Sequence, residues 1–298
     1  MKLHPLGTSD LRVSAVSFGC MSLGDDHAAN ARLLHQALDA GINLFDTADL
    51  YQKGENEVSV GKAFRGRRAE VVLATKVGNQ WRPDGSGWNW NPTKAYILQA
   101  VEGSLERLQT DYIDLYQLHG GTIDDPMDET IEAFELLRQQ GKIRAYGISS
   151  IRPNVIREYV RRSRIASVML QYSLLDRRPE EAVLELLQEH HIGVLTRGSY
   201  AQGLLLGKPA TPYLNYAAEE VTRAAQAGQQ AAQPPRPAAE TAVQFALAHP
   251  AVASAVLGIR TAEQLREAVA AGQAPLLTDA ELAHLRSAVP ANRYEQHR

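Results

Sequence analysis

Cysteine is nearly absent: Cys20 stands alone in 298 residues. No intrachain disulfide can form, and a reducing compartment, the cytoplasm, is the expected location. Excess charge is also missing. The net charge is −3 and the pI near 6.3, so no electrostatic case exists for a nucleic-acid or anionic-membrane partner. No stretch approaches the ~20 apolar residues of a membrane-spanning helix. The opening Met1–Leu6 has no long apolar run, and no signal peptide is expected. No Gly-x-Gly-x-x-Gly follows a candidate strand, which weighs against a Rossmann half. His190-His191 ends a helical pattern without further spaced ligands, so it reads as a solvated pair, and no metal site is expected.

What is present is a core and a rhythm. Hydrophobic residues make up 44% of the chain, ample for a large α/β unit. Residues 1–13 read as a hairpin turning at Gly7-Thr8-Ser9-Asp10. Strand patterns at 15–19, 43–46, 71–77, 113–119, 143–149, 166–172, 192–196 and 254–258 then alternate with helical ones. The helical patterns cover 30–40, 55–64, 93–108, 127–140, 153–162, 179–189, 238–248 and 261–271. Asp125-Pro126 reads as a helix start with an N-cap carboxylate. Eight such units predict a parallel (β/α)₈ TIM barrel. The hairpin would plug its N-terminal end, and 278–289 would add a helix after it. No linker divides the chain, so 1–298 reads as a single domain.

Two loops break the rhythm. Gly78–Asn91 holds all three tryptophans, Trp81, Trp88 and Trp90, in polar surroundings. It reads either as a loop folded on its own aromatic cluster or as an aromatic wall of a substrate pocket. Gly207–Pro237 is rich in Ala, Gln and Pro. Residues 213–227 have helical content, and 228–237 read as flexible, either a lid or a mobile insertion.

The chemistry-bearing residues sit at strand ends. Asp46 closes one strand, Lys76 the next and His119 the third, with Tyr51 five residues past Asp46. A barrel brings all strand C-termini to one face, so these four would converge. A phenol with a pKa near ~10 is a weak acid at neutral pH. A neighbouring ammonium lowers that value, and a carboxylate holds the ammonium in place. A neutral imidazole can orient a carbonyl oxygen. Together they would form a general acid for a carbonyl that gains electrons.

Asp46-Thr47-Ala48-x-x-Tyr51, Ala74-Thr75-Lys76 and Gln117-Leu118-His119 resemble the signatures of the aldo-keto reductase superfamily. The likeness runs on through Gly147-Ile148-Ser149, Gln171-Tyr172-Ser173 and Leu257-Gly258-Ile259-Arg260. It implies a nicotinamide cofactor, NADP(H), bound without a Rossmann fold, and hydride transfer to a small aldehyde or ketone. It makes Tyr51 the proton donor, tuned by Lys76 and Asp46, with His119 orienting the carbonyl. It places Ser149, Ser150 and Gln171 at the carboxamide and Tyr172 stacked on the nicotinamide; the other reading of Tyr172 is a core tyrosine with its hydroxyl satisfied. Arg197, Gly198, Ser199, Gln202, Gly203 and Leu204 would follow the diphosphate. Gly258, Arg260, Thr261, Gln264 and Glu267 would hold the adenosine end, with Arg260 on a 2′-phosphate. Cys20 and Met21 would line the substrate pocket or, on the other reading, sit in the core or at its rim. Ser150, Met169 and Ala268 depart from the usual Asn, Gln and Asn of the superfamily. Three other readings stay open: a sugar or polyol dehydrogenase, a non-catalytic cofactor-binding subunit, and a Schiff-base aldolase on Lys76. Whether the chain is a monomer or a homo-oligomer is not set by the sequence.

Overall fold

The computed structural model describes residues 1–231 and 236–298. The chain opens with an antiparallel hairpin, β1 (Leu3–Pro5) and β2 (Arg12–Ser14), and enters the barrel at β3 (Val16–Gly19). Then follow α1 (His27–Asp39), β4 (Leu44–Asp46), α2 (Glu55–Phe64) and β5 (Val72–Val77). A second hairpin, β6 (Asn79–Trp81) and β7 (Trp88–Trp90), precedes α3 (Lys94–Leu108) and β8 (Ile113–Leu118). The remaining order is α4 (Met127–Gln139), β9 (Ile143–Ser149), α5 (Pro153–Arg162), β10 (Ser167–Gln171), α6 (Val183–Glu189) and β11 (Gly193–Arg197). Helices α7 (Ala218–Gln230) and α8 (Ala238–Leu247) lead to β12 (Val252–Gly258), α9 (Ala262–Gln273) and α10 (Asp279–Ala288).

Strands β3, β4, β5, β8, β9, β10, β11 and β12 pair in parallel and close on one another. This is the predicted eight-stranded barrel. Its floor is the first hairpin: Leu6, Leu11 and Val13 pack with Leu44, Val72, Leu115, Met169 and Leu195 from inside the barrel. A larger apolar layer lies between the strands and the helices.

Alternation along each strand decides what faces the mouth. Leu44, Val72 and Ala74, Leu115, Met169 and Leu195 face inward. Two residues on from these stand Asp46, Lys76, Gln117, Gln171 and Arg197, which share that parity at the C-terminal end.

Several boundaries differ from the sequence reading. Helix α1 begins at His27 because the Asp26 carboxylate accepts from the backbone N–H groups of Ala28 and Ala29. The pattern over 179–189 splits into a short 3-10 turn and α6, since Ala182 has non-helical dihedrals. Asp125 does not cap α4 with its side chain; that carboxylate turns instead to Thr122 and Trp90. The tryptophan loop is a hairpin. Of the stretch expected to be flexible, 228–230 complete α7 and 232–235 lie outside the described residues.

Candidate active site

A cleft of about 900 Å³ opens at the C-terminal mouth. Tyr51, Lys76 and His119 line it together with Met21, Leu50, Ser149, Ser150, Met169 and Arg197. Asp46 lies just beneath, buried. The four residues expected to converge therefore do.

Lys76 is the hub. Its Nζ donates to Asp46 Oδ2 and to the carbonyl of Thr47, both at 2.7 Å, and to Tyr51 Oη at 3.4 Å. Only 1% of the Lys76 side chain and 6% of that of Asp46 is exposed, so neither charge is solvated by bulk water. Burial works against both ions, pushing the carboxyl up and the ammonium down. For Lys76 the Asp46 charge and contact, with Tyr51, outweigh it, and Lys76 stays above its usual range as an ammonium; for Asp46 burial prevails over Lys76 and Gln117, and the carboxyl stays raised. Gln117, buried on the same inward parity, donates to the other carboxylate oxygen at 3.4 Å. The sequence reading missed Gln117, although its place two residues before His119 on a strand was a usable signal.

The Tyr51 phenol departs from expectation. Burial raises its pKa above the ordinary value of ~10, Lys76 opposes that, and Asp46 adds to it. The net direction is up, whereas the sequence reading has Lys76 bringing the phenol down. The phenol is thus kept loaded with its proton. His119 stands edge-on to Tyr51, ring centroids 5.8 Å apart. Burial first, then the Lys76 and Arg197 cations, push its pKa to about 3, so the imidazole is neutral near pH 7. Its Nδ1 is buried without a partner among the described residues. A neutral ring and a protonated phenol at one mouth suit a carbonyl oxygen that needs donors.

The loop bearing His119 is fixed from behind. The Trp90 ring lies against Gly78 and Gly120, where an added Cβ would come within 2.6 and 3.4 Å of it. Its Nε1 donates to both oxygens of Asp125, which also accepts from the Thr122 backbone and hydroxyl. Trp81 takes the Lys53 ammonium on its face, 5.3 Å from the ring centroid, and Trp88 is exposed. No tryptophan is among the cleft-lining residues, so the aromatic-wall reading is corrected: the hairpin braces the loops at the mouth instead. Cys20 takes the core reading and not the pocket one. It is fully buried, its thiol 3.8 Å from the Phe18 carbonyl and pushed well up in pKa by burial. Met21, 65% exposed, is at the cleft.

The expected cofactor residues fall into two sets. Ser149, Ser150 and Arg197 line the cleft beside Met169. Ser150 Oγ accepts from the Arg152 N–H at the start of α5. Gln171 points inward, but its amide is engaged, donating to Tyr213 Oη at 2.8 Å and accepting from Arg197 Nη1 at 3.1 Å. Tyr172 is turned away. It shares the outward parity of Val168 and Leu170, is fully buried, donates to Glu180 and packs on Phe245. Stacking at the mouth is closed to it; the inward side chain at the next strand end is Arg197.

Farther out, Gly198 and Gly203 take left-handed dihedrals, and the Ser199 hydroxyl is buried without a partner among the described residues. Gln202 takes a left-handed φ of 59°, while Leu204 is buried. At the α9 N-terminus Thr261 accepts from the Gln264 N–H, and Gln264 accepts from the Arg260 N–H. Gly258, Arg260 and Glu267 are exposed, and Arg260 forms no ion pair among the described residues. A cation beside the free N–H groups of a twelve-residue helix suits a phosphate. Ala268 is buried in the core beneath it.

The cleft has walls that the sequence reading left out. Arg152 and Ile151 line it, as do Leu214 and Asn215 from the loop before α7, and Arg293–His297 from the C-terminal segment. Those last two segments are tied together: Asn292 Nδ2 donates to Asn215 Oδ1, and Tyr216 Oη to the Pro290 carbonyl. Tyr294 sits under the Arg178 guanidinium, 5.0 Å from its ring centroid.

Among the described residues no three His, Cys, Asp or Glu side chains are grouped to hold a metal, and no helix is long and apolar enough to cross a membrane. The family model described as "Aldo/keto reductase family" matches residues 15–290. The chain is 52% identical to an uncharacterized oxidoreductase, YqkF, of Bacillus subtilis, over 100% of both chains. It is 35% identical to an NADH-specific methylglyoxal reductase of Escherichia coli, over 72% of each. The holo form of aldo-keto reductase AKR11C1 from Bacillus halodurans superposes with a TM-score of 0.94 at 53% identity, covering 100% of this chain and 99% of that one.

Proposed function

The chain belongs to the aldo/keto reductase family of oxidoreductases, and from that premise we propose that it reduces small aldehydes or ketones to alcohols with NADPH. The observation that carries the reading is the chain of contacts Asp46–Lys76–Tyr51 beside a neutral His119, at the floor of an open cleft. The nicotinamide would supply the hydride when bound. The chain's own residues do the rest. His119 and Tyr51 Oη both face the place where a carbonyl oxygen would receive donors. As that oxygen gains charge, Tyr51 gives up its proton, since an alkoxide is a far stronger base than a phenolate. Lys76, at 3.4 Å, stabilises the phenolate left behind, and Asp46 keeps Lys76 charged and fixed.

Residues present fit the cofactor at two places. Arg260 and the α9 N-terminus suit a 2′-phosphate and thus NADP over NAD. Ser149, Ser150 and Arg197 would hold the nicotinamide end, and the 198–204 loop the diphosphate. Gln171, already paired with Tyr213 and Arg197, would act through Arg197. The region 1–298 would work as one unit. The test is a consumption assay with NADPH and NADH over aldehydes, ketones and sugars. Turnover with NADPH, weaker with NADH, supports the reading. No turnover of any carbonyl refutes it, and preferential oxidation of polyols would favour a dehydrogenase.

A further inference from the structure

Behind the Tyr51 loop, away from the cleft, lies a second charge cluster that the proposed reaction does not use. Asp49, two residues before Tyr51, is 8% exposed, and its Oδ1 has no partner among the described residues. Glu57, in the first turn of α2, is fully buried. One of its oxygens accepts from Arg107 Nε at 2.7 Å and Ser104 Oγ at 3.3 Å; the other accepts from the hydroxyl of Thr75, the neighbour of Lys76.

Arg107, held by Glu57, packs against the loop that follows Tyr51. Gln52, Lys53 and Gly54 run through left-handed dihedrals directly after Tyr51, with φ of 50°, 56° and 93°. Such a run persists only where its surroundings hold it. Arg107 supplies part of that hold, because a Cβ on Gly54 would come within 2.8 Å of its Cδ. Gly61, one turn beyond Glu57 on the same face of α2, lets that helix approach the Arg107 backbone, 2.5 Å from an added Cβ. Asn56 fastens both flanks of the loop. It accepts from the Thr47 hydroxyl at 2.7 Å and donates to Gln52 Oε1 at 3.1 Å.

The charges that face Asp49 come from every packed element. They are Glu57 on α2, Arg107 on α3 and Lys76 on β5, with the Tyr96 and Tyr116 phenols on α3 and β8. Lys76 is matched by Asp46 and Arg107 by Glu57, so the cluster is neutral only while Asp49 keeps its proton. We propose that Asp49 is a proton-dependent positioning residue: as the neutral acid it lets the Tyr51 loop seat on Glu57 and Arg107, and its ionisation unseats that loop. Burial first, then Glu57, raise its carboxyl to about 8, against Arg107, the Leu50 N–H and Lys76. Reduction would then fall on the alkaline side, well below the pH at which Tyr51 itself ionises.

This rests on the reductase reading, so two readouts are used. The first is kcat from pH 6 to 10 at saturating NADPH and aldehyde. Wild type should lose activity with a midpoint near 8, and Asp49→Asn should bring the ratio of kcat at pH 9 to that at pH 7 toward one. Glu57→Gln should move the limb to lower pH, because it removes the negative neighbour and frees Arg107 for Asp49. Residues that only support the fold would not abolish the limb in one variant and move it to lower pH in the other. The second readout is amide hydrogen exchange, as protection factors for residues 47–54, which needs no turnover. Protection should drop across the same pH range in wild type and stay level in Asp49→Asn. Identical pH dependence of protection in wild type and Asp49→Asn overturns the proposal whatever the activity shows. No carbonyl turnover, with protection still following Asp49, would refute the reductase reading alone and support the role of Asp49.

Discussion

Replacing Lys76 by Met removes the ammonium at the centre of the site and keeps much of the side chain's length. Two effects follow, and their sizes differ in origin. Asp46 is left buried without its counter-ion, which typically costs about 3–5 kcal/mol of stability. Separately, the phenolate that would form on Tyr51 loses its nearest cation. At 3.4 Å and an effective dielectric of about 20, that attraction is about 5 kcal/mol. Asp46 repels the same phenolate, but burial drives its carboxyl to take up a proton once Lys76 is gone, so that repulsion is lost with the attraction and about 2–3 kcal/mol is a working net value, or roughly 30- to 160-fold in rate. The double variant Asp46→Asn/Lys76→Met separates the effects: it should recover stability, because no unpaired ion remains, and should not recover rate. NADPH consumption with an aldehyde gives the reduction rate, and thermal unfolding by circular dichroism gives the stability. Alcohol oxidation against pH is the sharper assay. It needs the phenolate as base, so both variants should oxidise poorly at pH 7 and gain as pH rises, later than wild type. Burial already holds Tyr51 above ~10, so the gain should begin only at high pH. If the pH profile of the single or double variant overlays that of wild type after scaling, Lys76 does not set the phenol's acidity.

Three further outcomes are expected. Tyr51→Phe should cut carbonyl reduction by ~10²-fold or more with little change in NADPH affinity; near wild-type turnover would remove Tyr51 as the proton donor. Arg260→Ala should weaken NADPH binding by at least about tenfold, the low end for a hydrogen bond to a charged group because the side chain is exposed, and leave NADH binding nearly unchanged. Equal losses for both cofactors would assign Arg260 to the fold. His119 has its folded pKa depressed to about 3, so its contribution to stability is present above the unfolded value of ~6.5 and is lost as pH falls from there toward 3. The rate should therefore show no ionisation near 6.5, and a limb there that vanishes in His119→Asn would contradict a neutral imidazole.

Much of the site was legible because a barrel turns a position in sequence into a position in space. The last inward residue of each strand arrives at one mouth, so Asp46 and Lys76 could be placed by counting from the strand pattern. The same counting, carried further, would have corrected Tyr172. Met169 and Gln171 face inward, so Tyr172 must face out, and it is found against Phe245. It would also have shown that Gln117 reaches Asp46 and that the Arg197 side chain shares the inward parity of Gln171, which it meets at 3.1 Å beside the cleft. The tryptophan hairpin carried a weaker mark, Asp84-Gly85 between two short runs, a turn signal that a longer loop dilutes. The outer wall had no such mark. Tyr294 is placed by Arg178, and the Arg177 N–H donates to Asn292 across 115 residues of chain. No local period encodes a contact of that span.

The acidity of Tyr51 shows where reading charges from a sequence fails. Lys76 and Asp46 are visible in the chain, and their signs predict a phenol drawn down toward neutrality. Burial is a separate quantity, set by how closely the loop after β4 packs over the mouth, and here it wins. The consequence is directional. A phenol held above its ordinary pKa is fully protonated at neutral pH and ready to give a proton to an alkoxide, but it is a poor base for taking one from an alcohol. His119, neutral for the same reason of burial, would in the proposed reaction donate to a carbonyl oxygen without competing as a titrating acid. Under the proposed reading both groups would be set for the reductive direction, and burial, the largest cause of both shifts, would favour it more than any charge pair in the site does.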